Sequence, residues 1–172
     1  MIKLDYKIYD FFFHKLAYKN DYKNIKLLLK KNKKLLYEKG LYEYPIHIAC
    51  FIGSEKLINL FIEYDDNILS QKNIKGQSGF HILTLYPNLL LKYIKSMTFN
   101  INETDNDGYT ILTSYLSQNE DIDFIFLKKL KILGANFNSQ ENSEKIPEIL
   151  VKKCDLFDKL NKIFKINVNA YN

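Results

Sequence analysis

The chain has 172 residues and a net charge of +5, with 47% hydrophobic and 15% aromatic residues, which supplies a core and excludes a disordered chain. All 25 basic residues are lysine and tryptophan is absent; with no arginine, the usual bidentate reader of phosphate and guanine, a dedicated nucleic-acid binder is disfavoured. No apolar run is long enough to cross a bilayer and Met1 to Tyr6 shows no basic-then-apolar leader, so a cytoplasmic location is expected, with Cys50 and Cys154 as free buried thiols.

His14, His47 and His81 are all the histidines in the chain, and they stand 33 and 34 residues apart. A fixed interval of that size predicts a repeated supersecondary unit, with one histidine per layer. In the first unit, His14 and Ala17 lie on one helix. Asn20 suits a left-handed turn, and Ile25, Leu27, Leu28 and Leu29 form a second helix with the leucines turned inward. Lys26, Lys30, Lys31, Lys33 and Lys34 make its solvated face; residues 1–39 hold eleven lysines against four acids. In the second unit Pro45 opens a helix, Ala49 and Cys50 are the small residues of close packing, and Gly53 ends it in left-handed geometry. Leu57, Ile58, Leu60, Phe61 and Ile62 then repeat at the helical period.

The third unit runs from Gly76 through Ser78, Gly79, Phe80 and His81, with Pro87 near the turn and Leu89, Leu90, Leu91 and Ile94 in its second helix. The fourth opens on Asp105-Asn106-Asp107-Gly108-Tyr109-Thr110, has Thr113 where a histidine is due, and carries a short insertion over residues 118–123. The fifth keeps only a helical hairpin, around Ile146 to Leu150 and then Leu156 to Phe164.

The second unit resembles the ankyrin repeat, whose pattern runs Gly-x-Thr-Pro-Leu-His-x-Ala-Ala, then Gly, then Ile-Val-x-Leu-Leu-Leu. Tyr44 stands at the threonine, Phe12 and Gly79 at the proline of units one and three, and Leu133-Gly134-Ala135-Asn136-Phe137-Asn138 resembles the closing motif. The resemblance implies an all-α solenoid of about five stacked helix-turn-helix units with short β-hairpin connections and degenerate caps. The units fall at about 6–39, 40–72, 73–104, 105–140 and 141–165 of a single domain over 1–172. It also implies that the histidines tie adjacent repeats by hydrogen bonds to backbone, and stacked layers about 10 Å apart cannot share one metal.

Other chemistry is weakly marked. Glu103-x-Asp105-x-Asp107-Gly108 begins like a calcium loop, yet Ser114 stands where the bidentate glutamate would be needed. Asp105 therefore reads as a turn acceptor. Cys50 has no catalytic partners at a known spacing, and no phosphate loop or serine-hydrolase elbow occurs. No enzyme, cofactor or metal is expected.

The resemblance places partner binding on the concave side. Its hairpin positions are Leu41, Glu43, Lys75, Gln77, Asp107 and Tyr109, and its inner-helix ends are Tyr18, Lys19, Phe51, Ile52, Leu85 and Tyr86. It implies a non-enzymatic module, an adaptor or inhibitor that binds another protein, engages no membrane and is monomeric alone. A bacterial immunity or effector protein and a viral or parasite protein acting on host factors both fit. The alternative is a binder of nucleic acid or an anionic surface through the Lys-rich first repeat.

Overall fold

The computed structural model describes residues 6–40, 43–95, 99–137 and 156–166, with side chains from Phe12 onward in the first stretch. These residues form helices and turns, with no strand among them. The expected β-hairpins are hydrogen-bonded turns instead. The chain divides into two compact units, Met1–Met97 and Thr98–Asn172.

The first unit holds three helix pairs. They are α1 (Tyr6–Tyr18) with α2 (Tyr22–Lys31), α3 (Pro45–Phe51) with α4 (Glu55–Ile62), and α5 (Gly79–Ile82) with α6 (Pro87–Ile94). α5 runs on as a 3-10 turn over Leu83–Leu85, and similar turns over Lys33–Tyr37 and Ile68–Ser70 follow α2 and α4. Sequence explains the boundaries. Pro45 and Pro87 occupy first-turn positions, where a missing N–H costs nothing. Asp21 and Ser54 cap α2 and α4, their side chains accepting from the Asn24 and Leu57 N–H groups at 3.2 and 3.3 Å. The turn inside each of the first two pairs needs left-handed backbone, which Asn20 supplies at φ 55° and Gly53 at φ 64°.

α3 packs between α1 and α5, and α2 lies beside α4, so inner and outer helices form two layers. Ala17, Ala49 and Cys50 are fully buried on the inner helices, where small side chains allow close approach. Phe13 and Phe61 meet with ring centroids 6.5 Å apart, and Ile25, Leu29, Ile48, Leu57, Leu69 and Phe80 complete the centre of this core. Polar ties run between pairs. Ser54 Oγ donates to Asn20 Oδ1 at 2.6 Å, Tyr93 Oη donates to Asn59 Oδ1 at 2.8 Å, and Lys92 pairs with Glu55.

One sequence expectation fails here. Leu27 is 50% exposed and Leu28 only half-buried, while Ile25 and Leu29 are buried. At about 100° per residue, Leu27 lies about 200° round the helix from Ile25 and cannot share its face.

In the second unit, α7 (Ile111–Gln118) is followed by α8 (Phe124–Ile132), and α9 (Phe157–Phe164) packs on α8. Asp105 organises the turn before α7 as expected. Its Oδ1 accepts the Asp107 and Tyr109 N–H groups at 3.0 and 2.9 Å, while Gly108 takes φ 79°. Residues 119–123 join α7 to α8, two more than separate α3 from α4. The longer link is anchored by the Asp123 N–H donating to Tyr115 Oη at 2.9 Å. Tyr115 packs on Phe126 and Phe137 on Phe164, with centroids 4.6 and 5.0 Å apart. The expected helix around Ile146 to Leu150, and Cys154, lie outside the described residues.

Gly79 replaces a helix-opening proline for a packing reason. A Cβ there would stand 2.7 Å from Leu69 Cδ2, 3.1 Å from Cys50 Sγ and 3.2 Å from the Leu69 carbonyl. Gly79→Ala is therefore expected to destabilise the chain by about 1–3 kcal/mol through overpacking, read as a lower urea midpoint; an unchanged midpoint would refute this packing account.

Candidate functional site

The histidines are accounted for by backbone hydrogen bonds. His47 is the third residue of α3, and its Nδ1 accepts the Tyr44 N–H at 3.2 Å. Its Nε2 reaches the carbonyls of Gln71 and Gln77, at 2.9 and 3.1 Å, in the segment entering the next pair. One layer earlier, His14 Nε2 lies 3.1 Å from the Glu43 carbonyl and 3.2 Å from the Gly40 N–H, again in the segment entering the next pair. A Cβ on Gly40 would come within 2.9 Å of that nitrogen, so the ring requires glycine there. His81 repeats the local half: the Ser78 N–H and hydroxyl lie 3.3 and 2.9 Å from its Nδ1. Thr113 keeps that half without a ring, its Oγ1 accepting the Thr110 N–H at 2.7 Å.

Adding four to each histidine number gives Tyr18, Phe51 and Leu85. All three are exposed at the ends of the inner helices, by 55%, 56% and 39%. The equivalent residue after Thr113 is Ser117, also exposed. Around this stripe the structure joins some expected residues and frees others. Burial first, then the neighbouring Glu43 carboxylate, push the Tyr18 phenol above its ordinary value. Tyr86 lies over Gly53, where a Cβ would come within 2.7 Å of its ring, and Tyr86 Oη donates to the Phe51 carbonyl at 3.0 Å. Tyr86 is thus half-buried and partly committed to the fold, as is Ile52. Lys19 and Lys75 are exposed and Gln77 is half-buried, its N–H and that of Lys75 donating to Asn73 Oδ1 at 3.0 and 2.9 Å. In the second unit Asp107 is exposed and Tyr109 half-buried on the Asp105 turn. Leu41 lies outside the described residues. Exposed Leu27 was missed; counting its angle round the helix from Ile25 would have found it.

Burial drives the Cys50 thiol above its ordinary value, leaving it no nucleophilic thiolate at neutral pH. Among the described residues no group of three or more His, Cys, Asp or Glu side chains could hold a metal ion. No described helix is long and apolar enough to cross a membrane.

No protein-family model matches the chain. A curated relative, named "Putative ankyrin repeat protein BB_B28", from Borreliella burgdorferi, is 31% identical over 139 residues. The match covers 77% of this chain, which spans about a third (31%) of the relative's length.

Burial lowers the His47 ring from 6.5 to about 4, against the opposing pull of the Gln71 and Gln77 carbonyls. Between those values the unfolded chain takes a proton that the folded chain refuses. This contribution to stability is complete above pH 6.5 and is lost as pH falls toward about 4. His47→Gln should lower stability at neutral pH and flatten the stability profile across that window, measured by urea unfolding at each pH. An unchanged slope would show that His47 does not set it.

Proposed function

We propose that the chain is a run of about five ankyrin-type repeats working as a non-enzymatic module, which holds a partner protein on its inner-helix ends and adjoining turns. One observation carries this reading: Tyr18, Phe51 and Leu85 recur at the same place in three successive helix pairs and all face solvent. Ser117 shows that the place accepts a polar residue, so three apolar residues in register are not forced by helix packing. Apolar anchors ringed by polar side chains are what binding hot spots look like. Here the polar residues are Lys19, Glu43, Lys75 and Gln77, with Ile52 and Tyr86 at the edges of the stripe. Asp107 and Tyr109 are the corresponding turn positions of the second unit, taken by itself.

The similarity to a protein named for ankyrin repeats supports the reading, as does the histidine-to-carbonyl bridge between pairs. An adaptor or inhibitor that masks its partner fits a module of this kind. The exposure of these residues and the suppressed Cys50 thiolate favour binding over catalysis.

The test is capture with the whole tagged chain in its native cell, followed by affinity measurement on the recovered partner. Phe51→Ala and Leu85→Ala should leave the helical circular dichroism unchanged, because both side chains are exposed. Each should weaken binding, with a hot-spot loss of about 2 kcal/mol or more for Phe51. A partner held at full strength by the double variant would refute the assignment. Binding that collapses with salt would move it to the lysine-rich helix.

A further inference from the structure

We propose that the outward face of α2 docks on an anionic lipid surface, a second binding surface independent of the inner-helix stripe. α2 buries Ile25 and Leu29 and turns Lys23, Lys30 and Lys31 to solvent. Leu27 stands between them, four residues after Lys23 and three and four before the others, and half of it is exposed. Lys33 and Lys34 continue the charge into the following turn and are also exposed. α2 itself contains no acidic residue. Neighbouring acids are engaged locally. Asp21 accepts from the Asn24 N–H and Nδ2 at 3.2 and 2.7 Å, and Asp65 accepts from Tyr37 Oη at 2.9 Å. Glu63 acts on Lys26, whose ammonium donates to Tyr22 Oη at 3.1 Å.

The type of cation selects the partner. Protein interfaces are depleted of lysine and enriched in arginine and aromatics. Phosphate and base edges on nucleic acid are best met by the arginine fork, and this chain has none. A bilayer carrying anionic lipid rewards lysines one by one, through the surface potential, with no geometric demand on each. A protruding leucine adds what a polyanion cannot use, since it can enter the acyl boundary while flanking lysines extend to the headgroups. α8 serves as the contrast. Its exposed Ile125 and Ile132 flank Lys128 and Lys129, but besides the capping Asp123 two further acids, Glu120 and Asp121, stand exposed just before it and offset that charge.

The experiment is co-sedimentation of the whole chain with phosphatidylcholine vesicles, with and without phosphatidylserine, at low and high salt. Binding is expected only with phosphatidylserine, and should fall steeply with salt. The Lys23→Gln, Lys30→Gln, Lys31→Gln triple variant should bind on the order of a hundred-fold more weakly, at roughly five-fold per lysine. Leu27→Gln should weaken binding several-fold, and Phe51→Ala should leave it unchanged. Every substituted residue is exposed, so circular dichroism should confirm the parent fold. Equal binding to both vesicle types, or a triple variant that binds like the parent, overturns the proposal. So does a Leu27→Gln variant with parental affinity, or binding to polyglutamate or poly(U) as tight as to the vesicles, because either would assign the face to polyanions in general.

Discussion

The first unit depends on the imidazole of His47 being neutral and in one tautomer. Its Nδ1 accepts the N–H that opens α3, and its Nε2 donates to the carbonyls of Gln71 and Gln77. A helix start leaves N–H groups without partners, and buried turn carbonyls need donors. One side chain meets both needs and so links a helix to the segment that enters the next pair. Each such bond adds about 1 kcal/mol when made, but an orphaned buried group costs about 1–3 kcal/mol. Protonation would turn Nδ1 into a donor facing another donor. Burial is what depresses the basicity of His47, and it outweighs the opposing pull of the Gln71 and Gln77 carbonyls.

The same constraint explains which parts of the fold were legible in the sequence. The histidine interval set the repeat length because the ring has one place per layer. Asn20 and Gly53 were readable because few residues tolerate left-handed backbone, and both adopt it. Pro45 was readable because it suits a first turn. Leu27 was misplaced because three adjacent leucines look alike in composition, while a helix can bury only one side of them. Gly79 looked like a departure from the repeat pattern. Its cause is the approach of Leu69 and Cys50, residues 10 and 29 positions away in sequence, which no local pattern displays.

The candidate surface was partly legible for a related reason. Positions four beyond each histidine fall one turn on, at the end of the inner helix, and so Tyr18, Phe51 and Leu85 emerge from the core together. What the pattern could not reveal is which neighbours are already engaged. Tyr86 has the look of a free aromatic, but its ring covers Gly53 and its hydroxyl holds the Phe51 carbonyl. That bond fixes the backbone under Phe51, so Tyr86 positions the exposed ring beside it. Glu43 acts electrostatically on the Tyr18 phenol beside it. The proposed surface would then be apolar residues beside Tyr86, which is fixed by its own hydrogen bond, an arrangement that would lower the entropy lost on binding.

Thr113 shows how far one half of the histidine's role can be kept without the other. Its hydroxyl accepts the Thr110 N–H as His47 accepts that of Tyr44, so α7 starts in the same way. It has no atom long enough to reach a following layer. The second unit carries a different long-range bridge. Asn102 donates from Nδ2 to the Gly134 carbonyl and accepts the Asn136 N–H on Oδ1, both at 3.0 Å. An amide can satisfy a donor and an acceptor at once, as the neutral imidazole does, but it has no protonation step near neutral pH. Acid should then loosen the first unit through His47, while the tie made by Asn102 persists, so the two units differ in how their internal bridges respond to pH although both follow the same helical pattern.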